Sequence, residues 1–145
     1  EDVGVTTIDA VVRQIVDSAR VSLANPERPI HFQICGEPAR VASREATVLA
    51  IVLNELIVNS MSHGLTREGG TVVVETRREQ GMVVVEVRDD GPSHGPGEAG
   101  GPSSGLGLQI IRTLVHEDLA GDFELFEHDG WMSARVRFPQ RFEEI

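Results

Sequence analysis

Between Gly91 and Gly107 the chain concentrates seven of its 15 glycines and three of its seven prolines. Proline lacks the N–H that a helix or a strand ladder uses, and glycine loses the most backbone freedom on ordering, so no regular element spans this stretch. It also exceeds the usual connection length, and segments of that kind are typically lids or linkers. The chain is therefore divided into elements that end near Asp90 and elements that begin near Leu106.

Upstream, Ile8, Val11, Val12, Ile15, Val16 and Ala19 recur at helical spacing and predict an amphipathic helix over 6–23, with Thr6 or Thr7 as N-cap and Asn25-Pro26 as the stop. Ile30 to Cys35 reads as a strand followed by a Gly36-Glu37-Pro38 turn. A second, more apolar helix is expected from about Glu45 to His63, closed by Gly64. Thr71–Thr76 and Met82–Arg88 are Val-rich strands joined through Gln80-Gly81 as a hairpin. Downstream, Leu106–Leu119 reads as a helix. Asp122–His128 and Trp131–Phe138 form a hairpin about Asp129-Gly130. Hairpins mixed with helices, without strict βαβ alternation, predict an α+β two-layer sandwich: a mixed sheet with helices on one face.

At 145 residues, with 40% hydrophobic and 25% charged residues, the chain suits one globular domain over 1–145. Its formal net charge of −10 opposes binding to nucleic-acid backbones and anionic membranes. All 13 basic residues are Arg. The lack of lysine excludes a P-loop, a Schiff-base enzyme and a Ser/Thr kinase with its strand lysine. One cysteine, Cys35, cannot close an intramolecular disulfide, and the five histidines have no zinc spacing. No apolar run approaches a membrane span and no signal peptide opens the chain, which points to the cytoplasm. A start at Glu1 without Met suggests a domain cut from a longer protein.

Three short stretches carry candidate chemistry. Glu55, Asn59 and His63 stand at i, i+4 and i+8 and share one helical face. A carboxylate one turn from an amide oxygen can hold a hard cation such as magnesium, although the same residues also suit a solvated stripe. Asp89 continues the Val83/Val85/Val87 face of its strand, which is the core side, and a carboxylate there needs a strong donor. A ligand amine could serve, or Asp89 could simply open a glycine turn; Asp90, on the opposite face, is turn chemistry. Ser103-Ser104-Gly105-Leu106-Gly107-Leu108 places glycines at a helix N-terminus, where backbone amides can approach an anion or merely bend the chain. Gly95-Pro96-Gly97-Glu98-Ala99-Gly100 matches a dinucleotide fingerprint only literally, because Gly101-Pro102 follows where a helix must open.

In this order and spacing the three stretches resemble the GHKL ATPase superfamily, with its Bergerat-type fold. They resemble more closely the catalytic and ATP-binding domain of bacterial sensor histidine kinases. Asn54-Glu55-Leu56-Ile57-Val58-Asn59-Ser60 is similar to the N box, Asp89-Asp90-Gly91 to the first glycine box and Gly105-Leu106-Gly107-Leu108 to the second. Gln109 to Val115 is similar to the helix after that box, in the wording of the subgroup with the second type of phosphoacceptor domain. The likeness covers Thr6 to Pro139.

The resemblance implies magnesium-ATP as ligand, with a lid over about 92–104. Asn59 would ligate the magnesium, Glu55 would help activate the attacking group, and Asp89 would accept from the adenine amine. Gly91 would let adenine approach the backbone, and His63 would contact nucleotide. Gly105, Leu106, Gly107 and Leu108 would bring the second glycine box to the phosphates. It further implies an upstream helical phosphoacceptor domain outside this chain, a response regulator as downstream partner and a homodimeric full-length kinase. Departures from the pattern are Ser93 and Ser103 for glycines, Ser62 for a common lysine, and no Arg or Lys from Pro92 to Ser104. An anti-sigma-factor-like serine kinase and a non-catalytic nucleotide-sensing module are the alternatives.

Overall fold

The computed structural model describes residues 4–22, 26–27, 29–61, 70–90 and 106–141. The elements run β1 (Val5–Thr7), α1 (Ile8–Ser22), β2 (Ile30–Gly36), β3 (Arg40–Ala42), α2 (Ser43–Asn59), β4 (Gly70–Glu79), β5 (Met82–Asp89), α3 (Leu106–Asp118), β6 (Asp122–His128) and β7 (Trp131–Pro139). Five strands form one sheet in the order β2-β4-β5-β7-β6, and β1 pairs with β3 in a small second sheet. The β2–β4 pair is parallel, and the other pairs of the large sheet are antiparallel. The result is the expected α+β mixed sheet.

Alternation decides which face of that sheet meets the helices. Val72 and Val74 of β4, Val83, Val85 and Val87 of β5, and Ala134, Val136 and Phe138 of β7 fall on one face and are buried. They join the apolar stripes of α1 (Ile8, Val12, Val16), α2 (Leu49, Val52, Leu53, Ile57) and α3 (Leu108, Ile111, Val115) in a single core cluster. All three helices pack on that face.

The other face carries charge. Glu86 is buried at its centre and accepts from Arg77 (3.1 Å), Arg88 (3.0 Å) and Arg135 (2.8 Å). Burial pushes the Glu86 carboxyl up, but the hydrogen bonds from Arg135, Arg77 and Arg88 more than offset it and hold the group below its usual range. Val84 sits in register between Arg77 and Arg137 and is fully buried there.

Both hairpins turn on two residues with positive φ, Gln80-Gly81 and Asp129-Gly130, as type I′ turns require. Two expectations need correction. Helix α1 begins at Ile8 rather than Thr6, which leaves Thr7 at the N-cap position, and Thr6 and Thr7 also belong to β1, where they pair with Val41 and Arg40. Helix α2 begins at Ser43, two residues early, because Glu45 reaches back to accept from the Ala42 N–H (3.0 Å). The other Glu45 oxygen accepts from Arg141 Nε (2.7 Å), tying the end of the chain to the start of α2. No helix among the described residues is long and apolar enough to cross a membrane.

Candidate functional site

The C-terminal end of α2, the C-terminal end of β5 and the first turns of α3 meet around one pocket. Leu56, Asn59, Val87, Asp89, Leu108 and Met132 are among its lining residues. Counting the space open to solvent, it holds about 400 Å³.

Each side chain arrives by a local rule. Asp89 reaches the pocket because it keeps the phase of Val85 and Val87, and only 4% of it is exposed. Asp90 takes the other direction, where its Oδ1 accepts from the Thr71 N–H (2.9 Å). That bond ties the end of β5 to the start of β4 and is not a local turn contact; the residues of the expected turn after Asp90 lie outside the described ones. Asn59 closes the last turn of α2, one turn beyond Glu55 and with the pocket residue Leu56 between them. Asn54 is exposed and lines no part of the pocket.

Leu108 is buried in the pocket wall by the apolar stripe of α3. Gly107 lies against Glu55: a Cβ added to it would stand 2.6 Å from Glu55 Oε2 and 3.1 Å from Cδ. Leu106 is placed as the first residue of α3. His63, Gly91, Gly105 and the lid over 92–104 lie outside the described residues, as does the Gly64 cap.

The pocket also draws on Leu125, Met132 and Ala134 of the last hairpin, none of which belongs to the three sequence stretches that carry candidate chemistry. Met132 faces Asp89 in register. Alternation back from Phe138 through Val136 and Ala134 carries that signal, but only once β5 and β7 are known to be neighbours. A wider groove, about 1000 Å³ counted the same way, lies on the charged sheet face, between Arg88, Phe126 and Trp131. It shares Ser133 with the first pocket, but Asn59, Asp89 and Leu108 are not among its lining residues.

Residues 30–119 match the family described as the histidine kinase-like ATPase domain. The chain belongs to that family. It is 33% identical over 132 residues to the sensor histidine kinase PdtaS of Mycobacterium tuberculosis, covering 90% of this chain and 25% of that kinase. The PdtaS of Mycolicibacterium smegmatis is 32% identical over 137 residues, covering 91% and 27%. The chain thus spans about a quarter of the length of these relatives. Among solved structures, the catalytic domain of histidine kinase ThkA superposes with a TM-score of 0.77 at 17% identity, covering 94% of this chain and 95% of that one. A blue-light activated histidine kinase of Erythrobacter litoralis also gives 0.77, at 19% identity, covering 94% and 46%. These two likenesses establish the fold.

Membership of an ATPase family makes ATP the ligand to fit to this pocket. The donor set suits it: a buried carboxylate at a strand end and apolar walls for a base, with an amide oxygen and a helix N-terminus nearby for phosphates and their cation. Among the described residues no three His, Cys, Asp or Glu side chains cluster as metal ligands.

Proposed function

We propose that this histidine kinase-like ATPase domain binds magnesium-ATP between Asp89 and Asn59 and delivers the γ-phosphate to a histidine of a sensor kinase, for relay to a response regulator. The observation that carries this reading is the convergence of Asp89, Asn59 and Leu108, from three separate elements, on one pocket. Asp89 accepts from the adenine amine, while Leu56, Val87, Leu108 and Met132 hold the ring. Asn59 holds magnesium, which neutralises the phosphate charge. Transfer breaks the bond from the γ-phosphorus to the bridging oxygen and forms one to an imidazole nitrogen, with ADP leaving. Little covalent chemistry falls to the protein, so positioning is its main contribution. Glu55, one turn before Asn59, is the carboxylate suited to help activate the attacking imidazole.

The acceptor histidine belongs to a helical domain outside residues 1–145, in a full-length kinase that we take to be homodimeric and to present this domain to the cytoplasm. The named relatives favour this over an anti-sigma-factor-like serine kinase. One observation favours a second reading, a nucleotide sensor without catalysis: the stretch from Pro92 to Ser104 offers no Arg or Lys to phosphates. Titration with an ATP analogue, with and without magnesium, tests binding, and incorporation of labelled γ-phosphate into an added acceptor domain tests transfer. Magnesium-dependent binding with transfer supports the kinase, binding without transfer supports the sensor, and no binding overturns both.

A further inference from the structure

Gly107 is a helical residue whose backbone makes no demand for glycine; positive φ occurs at Gly36, Gly70, Gly81 and Gly130 among the described glycines, and Gly107 is not one of them. Glycine is also the poorest helix former after proline, so its presence in the first turn of α3 weakens that turn. Something else must require a missing side chain here. The place where a Cβ would stand is taken by Glu55, with Oε2 at 2.6 Å and Cδ at 3.1 Å. Among the described residues no hydrogen bond or ion pair holds the Glu55 carboxylate. It lies against the start of α3, where a negative charge is favoured by the helix dipole.

We propose that Gly107 is a positioning residue: the missing side chain seats the Glu55 carboxylate against the first turn of α3 and so sets where that carboxylate stands relative to the transferred phosphate. This rests on the kinase reading above for its effect on transfer, but not for its geometry. A methyl group at position 107 meets the free end of a flexible side chain, so the fold absorbs it and the carboxylate moves. The effect is therefore on chemistry rather than on folding. Gly107 would act through Glu55, not through approach of its own amide to the phosphates.

The test is a double-mutant cycle of Gly107→Ala and Glu55→Ala. In the full-length kinase, Gly107→Ala alone is expected to lower the turnover of phosphoryl transfer on the order of 100-fold, as for a group displaced by about 1 Å, with ATP affinity kept within about twofold. Added to Glu55→Ala, it should cost nothing further, because the side chain it displaces is gone. An equal loss in both backgrounds, or a loss that appears in ATP affinity, overturns the proposal and assigns Gly107 to the phosphates.

Melting of the 145-residue chain without nucleotide provides an arm independent of kinase activity. Gly107→Ala should raise the midpoint by about 3 °C in the Glu55→Ala background, through helix propensity, and by clearly less when Glu55 is present. Equal rises would mean that the carboxylate is not seated there, and would sink the inference even if the kinase reading stands. If the protein proves unable to bind ATP, the kinase reading fails while the melting cycle still decides the placement of Glu55.

Discussion

Asp89 and Asp90 are neighbours with opposite fates, because successive strand residues point to opposite faces. Asp90 binds the Thr71 amide, while Asp89 is buried at the pocket. Asp89→Asn should preserve shape and weaken a charge-assisted bond to the adenine amine, costing roughly 1.5–3 kcal/mol of ATP affinity. GTP presents an acceptor where adenine presents a donor, so the variant should also lose much of its preference for ATP over GTP. Competition binding of both nucleotides to both proteins measures this, and an unchanged ratio would reduce Asp89 to a structural residue. Asn59 is only half-buried, so Asn59→Ala should abolish magnesium-dependent ATP binding with little change in melting temperature. Asn54→Ala, on the exposed side of the same helix, is the control and should leave binding intact. Equal ATP affinity in wild type and Asn59→Ala would remove Asn59 from the metal site. The position of Asp89 was legible in the sequence, since alternation alone placed it on the core side. The contact between Glu55 and Gly107 was not, because it depends on how two helices separated by some 50 residues come together.

At the scale of elements, local signals and long-range pairing part company. The two large hairpins follow from Gln80-Gly81 and Asp129-Gly130, and α3 follows from Leu108, Ile111 and Val115, all patterns within a few residues. Strands β1 and β3 escaped notice because three residues are too few to show alternation. The start of α2 was misread because its cap is a glutamate inside the first turn rather than a residue before it. The charged face of β4, β5 and β7 was invisible until register brought Arg77, Arg88 and Arg135 around Glu86. That cluster makes a prediction of its own. The Glu86 carboxyl titrates below its ordinary 4.5 in the folded protein, so its contribution is complete above that value and is lost as pH falls through the lower, folded value. Urea unfolding should show stability dropping below about pH 4.5, and Glu86→Gln should flatten part of that limb. At neutral pH the same variant should cost about 1–3 kcal/mol, since it leaves three arginines facing a neutral group. A variant with an unchanged acid limb would show that the cluster contributes nothing to pH dependence.

For the molecule as a whole, the parallel pairing of β2 with β4 is the long-range step in a sheet otherwise rich in antiparallel pairs. Ile30 meets Gly70 across all of β3 and α2, whereas β4 and β5 meet across two residues. Closing the longer loop costs more chain entropy before any contact repays it, so β2 is expected to dock late during folding. Until it does, β4 has an open edge, and its Val72-Val73-Val74 run is buried on both faces in the finished sheet. A flat, uncharged valine segment with an unpaired backbone is a template for another copy of itself. Ile34, opposite Val74, is among the residues that hold β2 in place. Ile34→Ala should therefore raise light scattering during refolding more than Val136→Ala, a variant of the central sheet, when the two are compared at matched stability. Equal scattering would place β2 docking before the exposure matters. The strand order that builds the pocket beside Asp89 thus also creates a brief hazard of self-association each time the chain is made.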